Sequence, residues 1–426
     1  MKPFRFIFAL LIMSPVFSQS LQEAIRLALD NNPVIKASEQ GLELAEKTAL
    51  ATSRKTLPKL EVGAKAAYIS DVMELDLSTL KPGAGTISMG ANQSYGTDLT
   101  ASYVLFSGYA QKASVQMSKK QCDIAAIDVA GTSREIAYNT AVTYRNIQRQ
   151  MLEIAALESA RNRADLQLQR VKALLSQGMA LSIDTLSLSL AEMKFDQQLI
   201  ALKAALVTTH EQLKNLTGSS ITVSKTEMAT DYPLPDLAIN RLESLQSLSI
   251  HMDLIRQSEI LARSKIYPSV AVQATFNFGK PGVDYIANEW MPYATVGIGM
   301  EWEIWNWGAT KAETQAQHAR IKQLRYQEEN LRNQIQLRYN SVLRDYQSIR
   351  DQLKVFKNAL TLAGGKMRII RLQSDKGLVS ATDFNEANLE LTRAEIDYQE
   401  HLIQLALKVL EIDYVSGSPI SEWHFN

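Results

Sequence analysis

An intrachain disulfide is closed to this chain, because its 426 residues contain a single cysteine, Cys122. An exported protein without disulfides is held together by burial, by oligomerisation or by both. An excess of charge is missing too: Lys plus Arg and Asp plus Glu are 45 each, so the net charge is zero. Nucleic acid is therefore not an expected partner, since its binding wants a concentrated basic face. No later window holds 18 consecutive apolar residues, and the best stretch, Leu402 to Ile412, contains Gln404, Lys408 and Glu411. No transmembrane helix is expected in the mature protein, which leaves a soluble protein beyond the inner membrane or an inserted β-barrel.

Catalytic and metal-binding patterns are also lacking. His210, His251, His318, His401 and His424 have no ligand-like spacing, so neither metal nor cofactor is expected, and His318 and His401 read as solvated. The GGKM at Gly364 lacks the upstream glycine and the following hydroxyl of a phosphate loop, and reads instead as a helix interruption. Cys122 has no histidine near it in sequence. With no nucleophile–base pair either, the chain is not expected to be an enzyme.

What is present is organised. The first 18 residues carry Lys2 and Arg5, then an apolar stretch from Phe6 to Met13 and the small Ser18, the pattern of a secretory signal cleaved near Ser18–Gln19. The remainder is written twice. Gly178 and Gly377 lie 199 residues apart, each followed six residues later by an aspartate, Asp184 and Asp383. Gly218 and Gly417 share that offset, Pro58 pairs with Pro268, and LFSG (Leu105 to Gly108) pairs with IWNWG (Ile304 to Gly308). Ordered anchors of this kind indicate a tandem duplication.

Each half holds two alternating segments. Leu60, Val62, Ala64, Ala66 and Tyr68 alternate with Glu61, Gly63 and Lys65; Val270, Val272, Ala274, Phe276 and Phe278 alternate with polar or small residues. Val296, Ile298, Met300, Trp302 and Ile304 do the same, and Leu99, Ala101, Tyr103 and Leu105 less cleanly. Period-two alternation over about ten residues is a strand with one apolar face. A soluble β-sandwich edge alternates equally well. A membrane sheet is favoured by Glu301 and Glu303, which lie on the polar face, and by Trp290, Trp302, Trp305 and Trp307, placed where an interfacial girdle would sit. Four strands cannot close a barrel, for which about eight is the minimum. Either the sheet is not in a membrane, or several chains share one barrel.

The rest reads as long helix. Proline is absent between Pro82 and Pro233 and between Pro292 and Pro419, and from Gly108 to Gln177 only Gly131 interrupts. Ile321, Leu324, Leu331, Ile335 and Val342 recur at helical spacing in a Gln- and Arg-rich run. About 68 residues make a rod of about 100 Å, which reads as coiled coil. Helices returning from Gly178 and Gly377 turn each half into a strand pair followed by a helical hairpin.

Strand pair and hairpin, repeated in an exported chain, resemble the TolC-like outer membrane efflux proteins. LQEAIRLALDNNP is similar to the family's opening helix, and the glycine-to-aspartate tips occur in both halves. The resemblance implies an α+β membrane protein: a homotrimer sharing one twelve-stranded barrel, four strands per protomer, continued by a long coiled-coil helical barrel in the periplasm. On that basis 1–18 is the signal and 19–217 the first repeat, with strands near 59–69 and 94–106 and a hairpin over 108–217. Residues 218–240 are an equatorial connection, and 418–426 a tail joining that belt. The second repeat, 241–417, has strands near 268–279 and 293–305 and a hairpin over 308–417. Leu75 to Tyr95 and Lys280 to Pro292 become extracellular loops.

The implied function is a passive exit duct in the outer membrane, part of a tripartite efflux or type I secretion system with a periplasmic adaptor and an inner-membrane pump. A non-transport periplasmic coiled-coil or adaptor protein is the alternative, although no lipoyl-like β domain interrupts either hairpin. In the family, acidic side chains of the second hairpin ring a periplasmic iris; Asp383 and Glu386 hold those places, and Asp184 holds the matching place in the first. Capping of the returning helix is the competing reading of both aspartates, compatible with the first. A tyrosine–arginine latch found in some relatives is replaced by Ser374 and Val379. Gly178, Met179, Ala180 and Leu181, with Gly377, Leu378, Val379 and Ser380, make the tips expected to meet the adaptor.

Overall fold

The computed structural model describes residues 20–77, 82–83, 85–89, 91–224, 228–284, 287–376 and 378–425. The signal segment 1–18, Gly377, parts of the expected loops, 225–227 of the equatorial connection and Asn426 lie outside the described residues. The chain divides into two compact units, one formed by residues up to 39, 128–246 and 330–426, the other by 40–127 and 247–329.

The second unit is built on a four-stranded antiparallel sheet. Its strands are β1 (Lys59–Tyr68), β4 (Gln93–Ser107), β5 (Ser269–Lys280) and β6 (Met291–Glu301), in that spatial order. β2 (Met73–Asp76) and β3 (Thr86–Met89) form a separate hairpin between β1 and β4. That hairpin was expected as loop. At four residues per strand, in a Gly- and Ser-rich stretch, it carries too little periodicity to read.

The β5–β6 ladder stops at Glu301, opposite Ser269, and not near 305 as the alternation suggests. Pro268, with no N–H to donate, precedes that last pair, and the Trp302 indole instead donates to the Ile266 carbonyl at 3.0 Å. Most of two helices belong to this unit and precede its strands in sequence, α2 (Pro33–Arg54) before β1 and α5 (Glu243–Arg263) before β5.

The other unit is helical. It contains α1 (Leu21–Asn31), most of α3 (Ala110–Ser176), α4 (Ser182–Thr217), most of α6 (Ala309–Ser374) and α7 (Ala381–Ser416). Leu21, Ala24, Ile25 and Ala28 recur at one helical face of α1; the first three are buried with Ala137, Ala141 and Tyr144 of α3, and Ala28 with Ile35 and Ile136. Alanine at 137, 141, 160 and 164 lets helices approach closely along α3, and all four are fully buried. The apolar stretch from Leu402 to Ile412 is interior: Leu405, Val409 and Ile412 pack with Tyr339, Val342 and Tyr346 of α6.

Three local readings change. Gly131 does not interrupt α3, which runs through it. Gly364 and Gly365 do not interrupt α6 either; the adjoining Met367 is buried, so packing outweighs the roughly 1 kcal/mol per glycine that favours a break. His401 is not simply solvated, for its ring lies 3.8 Å from that of Phe356 and its Nδ1 is 2.7 Å from the Asp397 carbonyl.

The tail from Ser418 packs back on this unit. Trp423 is buried, its indole donating to the Ser418 carbonyl at 3.0 Å, and Arg134 lies over its ring at 5.9 Å. The fully buried Asp413 accepts from the His424 backbone N–H at 2.7 Å and faces His424 Nδ1 at 3.0 Å. Burial drives the Asp413 carboxyl above the usual range, and the His424 contacts offset only part of that. No spacing in the sequence announced this pair.

Candidate functional site

Two regions carry the residues singled out above, one in each unit. In the sheet, cross-strand register sorts the side chains. Val62, Leu99, Phe276 and Ala294 form one row, and Leu60, Ala101, Ala274 and Val296 the next, all on one face. The opposite face carries Glu61, Thr100, Thr275 and Thr295, then Gly63, Asp98, Asn277 and Tyr293. Exposure differs from that of a soluble sheet on the apolar face, where Val62 is 80% exposed and Val296 78%; on the polar face Asp98 and Thr100 of the central strands are half-buried, and Glu61 and Thr295 of the outer strands are exposed. On the polar face Thr100 and Thr275 hydroxyls meet at 3.2 Å. At its end near β2, a cavity of about 470 Å³ is lined by Lys65, Asp71, Asn277 and Tyr293 among others.

The tryptophans split between the two ends of β6. Trp290 precedes the strand and stacks on Phe278 at 5.1 Å; Trp302, Trp305 and Trp307 follow it, all exposed, with Trp305 and Trp307 edge to face at 5.7 Å. The 11 residues between them, tilted by about 40°, cover roughly 27 Å, close to the ~25 Å apolar band of a membrane barrel.

In the helical unit the hairpin tips are built alike. α3 is followed by a turn with Gly178 at φ 75°, and the Met179 N–H donates to the Leu174 carbonyl at 2.8 Å. The Leu378 N–H makes the corresponding bond to the Gln373 carbonyl at 3.0 Å. Around these turns Met179, Leu181 and Leu378 are exposed apolar side chains.

Asp383 serves as a cap. Its carboxylate accepts from the Ser380 N–H at 3.2 Å and the Ser380 hydroxyl at 2.6 Å, while Ser380 Oγ accepts from the Asp383 N–H. These bonds, the hydroxyl's first, hold the Asp383 carboxyl below its ordinary range. Asp184 makes the weaker version, accepting from the Leu181 N–H at 3.3 Å, because leucine has no side-chain acceptor to return. Glu386 is exposed one turn along from Asp383, so both carboxylates share a solvent-facing stripe.

Between the hairpins lie contacts that the sequence did not reveal. Gln167 of α3 donates to the Ser374 hydroxyl at 2.7 Å, and Arg170 donates to Asp375 at 2.5 Å. Nearby Arg163 reaches Asn388 at 2.7 Å and Thr392 at 3.0 Å. Their only advance signal was that Ser374 stands where some relatives carry a latch residue.

The family model for outer membrane efflux proteins matches residues 24–219 and again 234–417. The chain belongs to the outer membrane efflux protein family. Its coarse role, efflux at the outer membrane, comes with that membership. No curated protein matches the sequence.

Among solved structures, CusC is similar over 95% of this chain and 93% of its own, with a TM-score of 0.80 at 14% identity. The CmeC outer membrane channel of Campylobacter jejuni matches over 94% and 86%, with a TM-score of 0.79 at 15% identity. VceC of Vibrio cholerae matches over 94% and 96%, with a TM-score of 0.75 at 14% identity. At such identities the likeness is one of fold.

Among the described residues, no helix is long and apolar enough to cross a membrane and no group of three or more His, Cys, Asp or Glu could hold a metal.

Proposed function

We propose that this outer membrane efflux protein is a channel of three identical chains. In this reading it is the passive exit duct of a tripartite efflux or type I secretion system, driven by an inner-membrane pump. The observation that carries the reading is the sheet. Its apolar face is largely exposed, and at Asp98, Thr100, Thr275 and Asn277 of the two central strands the polar face is the half-buried one, as in a barrel wall between lipid and a wet lumen. Both outer strands lack a second partner among the described residues, since β1 pairs with β4 and β6 with β5. Open edges cannot persist in hydrocarbon, so β1 of one copy meets β6 of the next until twelve strands close.

The helices support the presence of a neighbouring copy. Ile183, Leu186, Leu190, Met193, Ile200 and Val207 form an exposed heptad stripe on α4, and Val355, Leu362, Ile369 and Leu372 form another on α6. Apolar stripes at this spacing are seams for a neighbouring helix, supplied here by the adjacent copy. Trp290 and the Trp302, Trp305 and Trp307 group bracket the lipid-facing band.

At the periplasmic end Asp383 and Glu386 would line two anionic rings about the threefold axis, with Asp184 on the first hairpin. The adaptor docks on Met179, Leu181, Leu378 and Ser380 beside Gly178 and Gly377. A non-transport periplasmic spacer would leave the outward apolar face of the sheet unexplained.

Single-channel recording after reconstitution into planar bilayers tests this reading. A cation-selective conductance that weakens in Glu386→Gln supports it, and no conductance from folded protein overturns it.

A further inference from the structure

Near the hairpin tips α3 and α6 face one another through long side chains, around a cavity of about 280 Å³. Four arginines line it, Arg163 and Arg170 from α3 and Arg368 and Arg371 from α6, over an apolar floor that includes Met367 and Phe384. Two of them are matched: Arg163 has Glu395 at 3.5 Å and Arg170 has Asp375 at 2.5 Å. The side chains of Arg368 and Arg371 have no hydrogen-bond or ion-pair partner among the described residues. Like charges three residues apart on a helix repel, so the pair carries a cost that a bound anion would remove.

Gln167 adds an independent observation. It lines the same cavity, is 5% exposed, and spends its amide nitrogen on Ser374, yet its Oε1 is buried with no donor. A buried acceptor without a donor is uncommon in a settled structure. Favourable placement of cations at a helix C-terminus explains Arg371 in the last turn of α6, but neither Arg368 nor the orphaned oxygen.

We propose that this cavity binds a small amphipathic anion, an aryl phosphate or aryl carboxylate. Its head group is held by the forked donors of Arg368 and Arg371. Its ring rests on Met367 and Phe384, and a hydroxyl or N–H on the ligand supplies the donor that Gln167 Oε1 lacks. The site goes beyond the channel reading and stands without it, since its occupancy involves no conduction.

The test is calorimetric titration of the full-length protein in lipid nanodiscs with phenyl phosphate, inorganic phosphate and phenol. Saturable binding of phenyl phosphate is expected, weaker by about tenfold or more for the other two probes, because each offers only half of the contact. Arg368→Gln with Arg371→Gln is expected to lose about tenfold or more, while Arg393→Gln, outside the cavity, binds as the parent does. Both cavity arginines are exposed within one chain, and the melting curve and oligomeric state of the double variant check that it keeps its fold and assembly. No saturable binding overturns the proposal. So does equal binding by the folded double variant, or inorganic phosphate binding as tightly as the aryl ester.

Discussion

The Gln167 amide donates to the Ser374 hydroxyl at 2.7 Å, and one turn further along α3 the Arg170 guanidinium donates to Asp375 at 2.5 Å. These two bonds tie the first hairpin to the second at the level of the tips. They do so with a serine where some relatives use a larger latch residue.

If these ties hold the tips together, removing both loosens them. Gln167→Ala with Arg170→Ala is expected to raise the open probability of the reconstituted channel several-fold. Each bond is partly solvent-exposed, so the loss amounts to about 1–2 kcal/mol. Bilayer recordings of the double variant beside the parent check this, and an unchanged open probability removes the ties from the gate.

Capping and ion attraction at Asp383 separate by pH and by partner. Ser380→Ala removes the acceptor for the Asp383 N–H and is expected to cost about 1 kcal/mol of stability, read from a denaturation midpoint. Because Asp383 titrates below its unfolded value, its contribution is present above the ordinary carboxylate range and lost as pH falls through the lower folded value. A thermal melt series at acid pH should show the gap between parent and Asp383→Asn closing there.

Asp413 runs the other way. Its folded pKa is raised, so its contribution is complete below the unfolded value and lost as pH rises through the folded one. Asp413→Asn keeps a carbonyl acceptor for the His424 N–H. The variant should therefore gain on the parent as pH rises from acid to neutral. Asp413→Leu strands that N–H and should be destabilised by about 1–3 kcal/mol throughout. Melting temperatures across pH separate the two variants.

The exposed stripes of α4 and α6 make a prediction about assembly. Leu190→Glu with Leu362→Glu puts charge at the centre of two seams that are solvent-exposed within one chain. The isolated protomer should keep its helical content by circular dichroism while the oligomer dissociates in detergent. An intact oligomer would show that the stripes face something else.

Legibility followed the physics of each element. The four main strands were visible because a strand with one apolar face must alternate, and the long helices because proline was absent for well over a hundred residues at a time. The β2–β3 hairpin was not, since four-residue strands carry no usable period. Gly364 and Gly365 misled because the helix around them is fixed by Met367 and its neighbours, a matter of packing and not of propensity. At the tips the glycine-to-aspartate spacing was local and could be read. The Gln167–Ser374, Arg170–Asp375 and Asp413–His424 contacts join residues whose proximity only the folded helices create, or whose burial no spacing encodes.

The central claim is that one chain supplies a third of a barrel. Native mass spectrometry of the protein released from detergent micelles counts the chains directly. The account predicts a complex of three protomers as the dominant species; a folded, conducting protein that registers as a monomer or a dimer would contradict it.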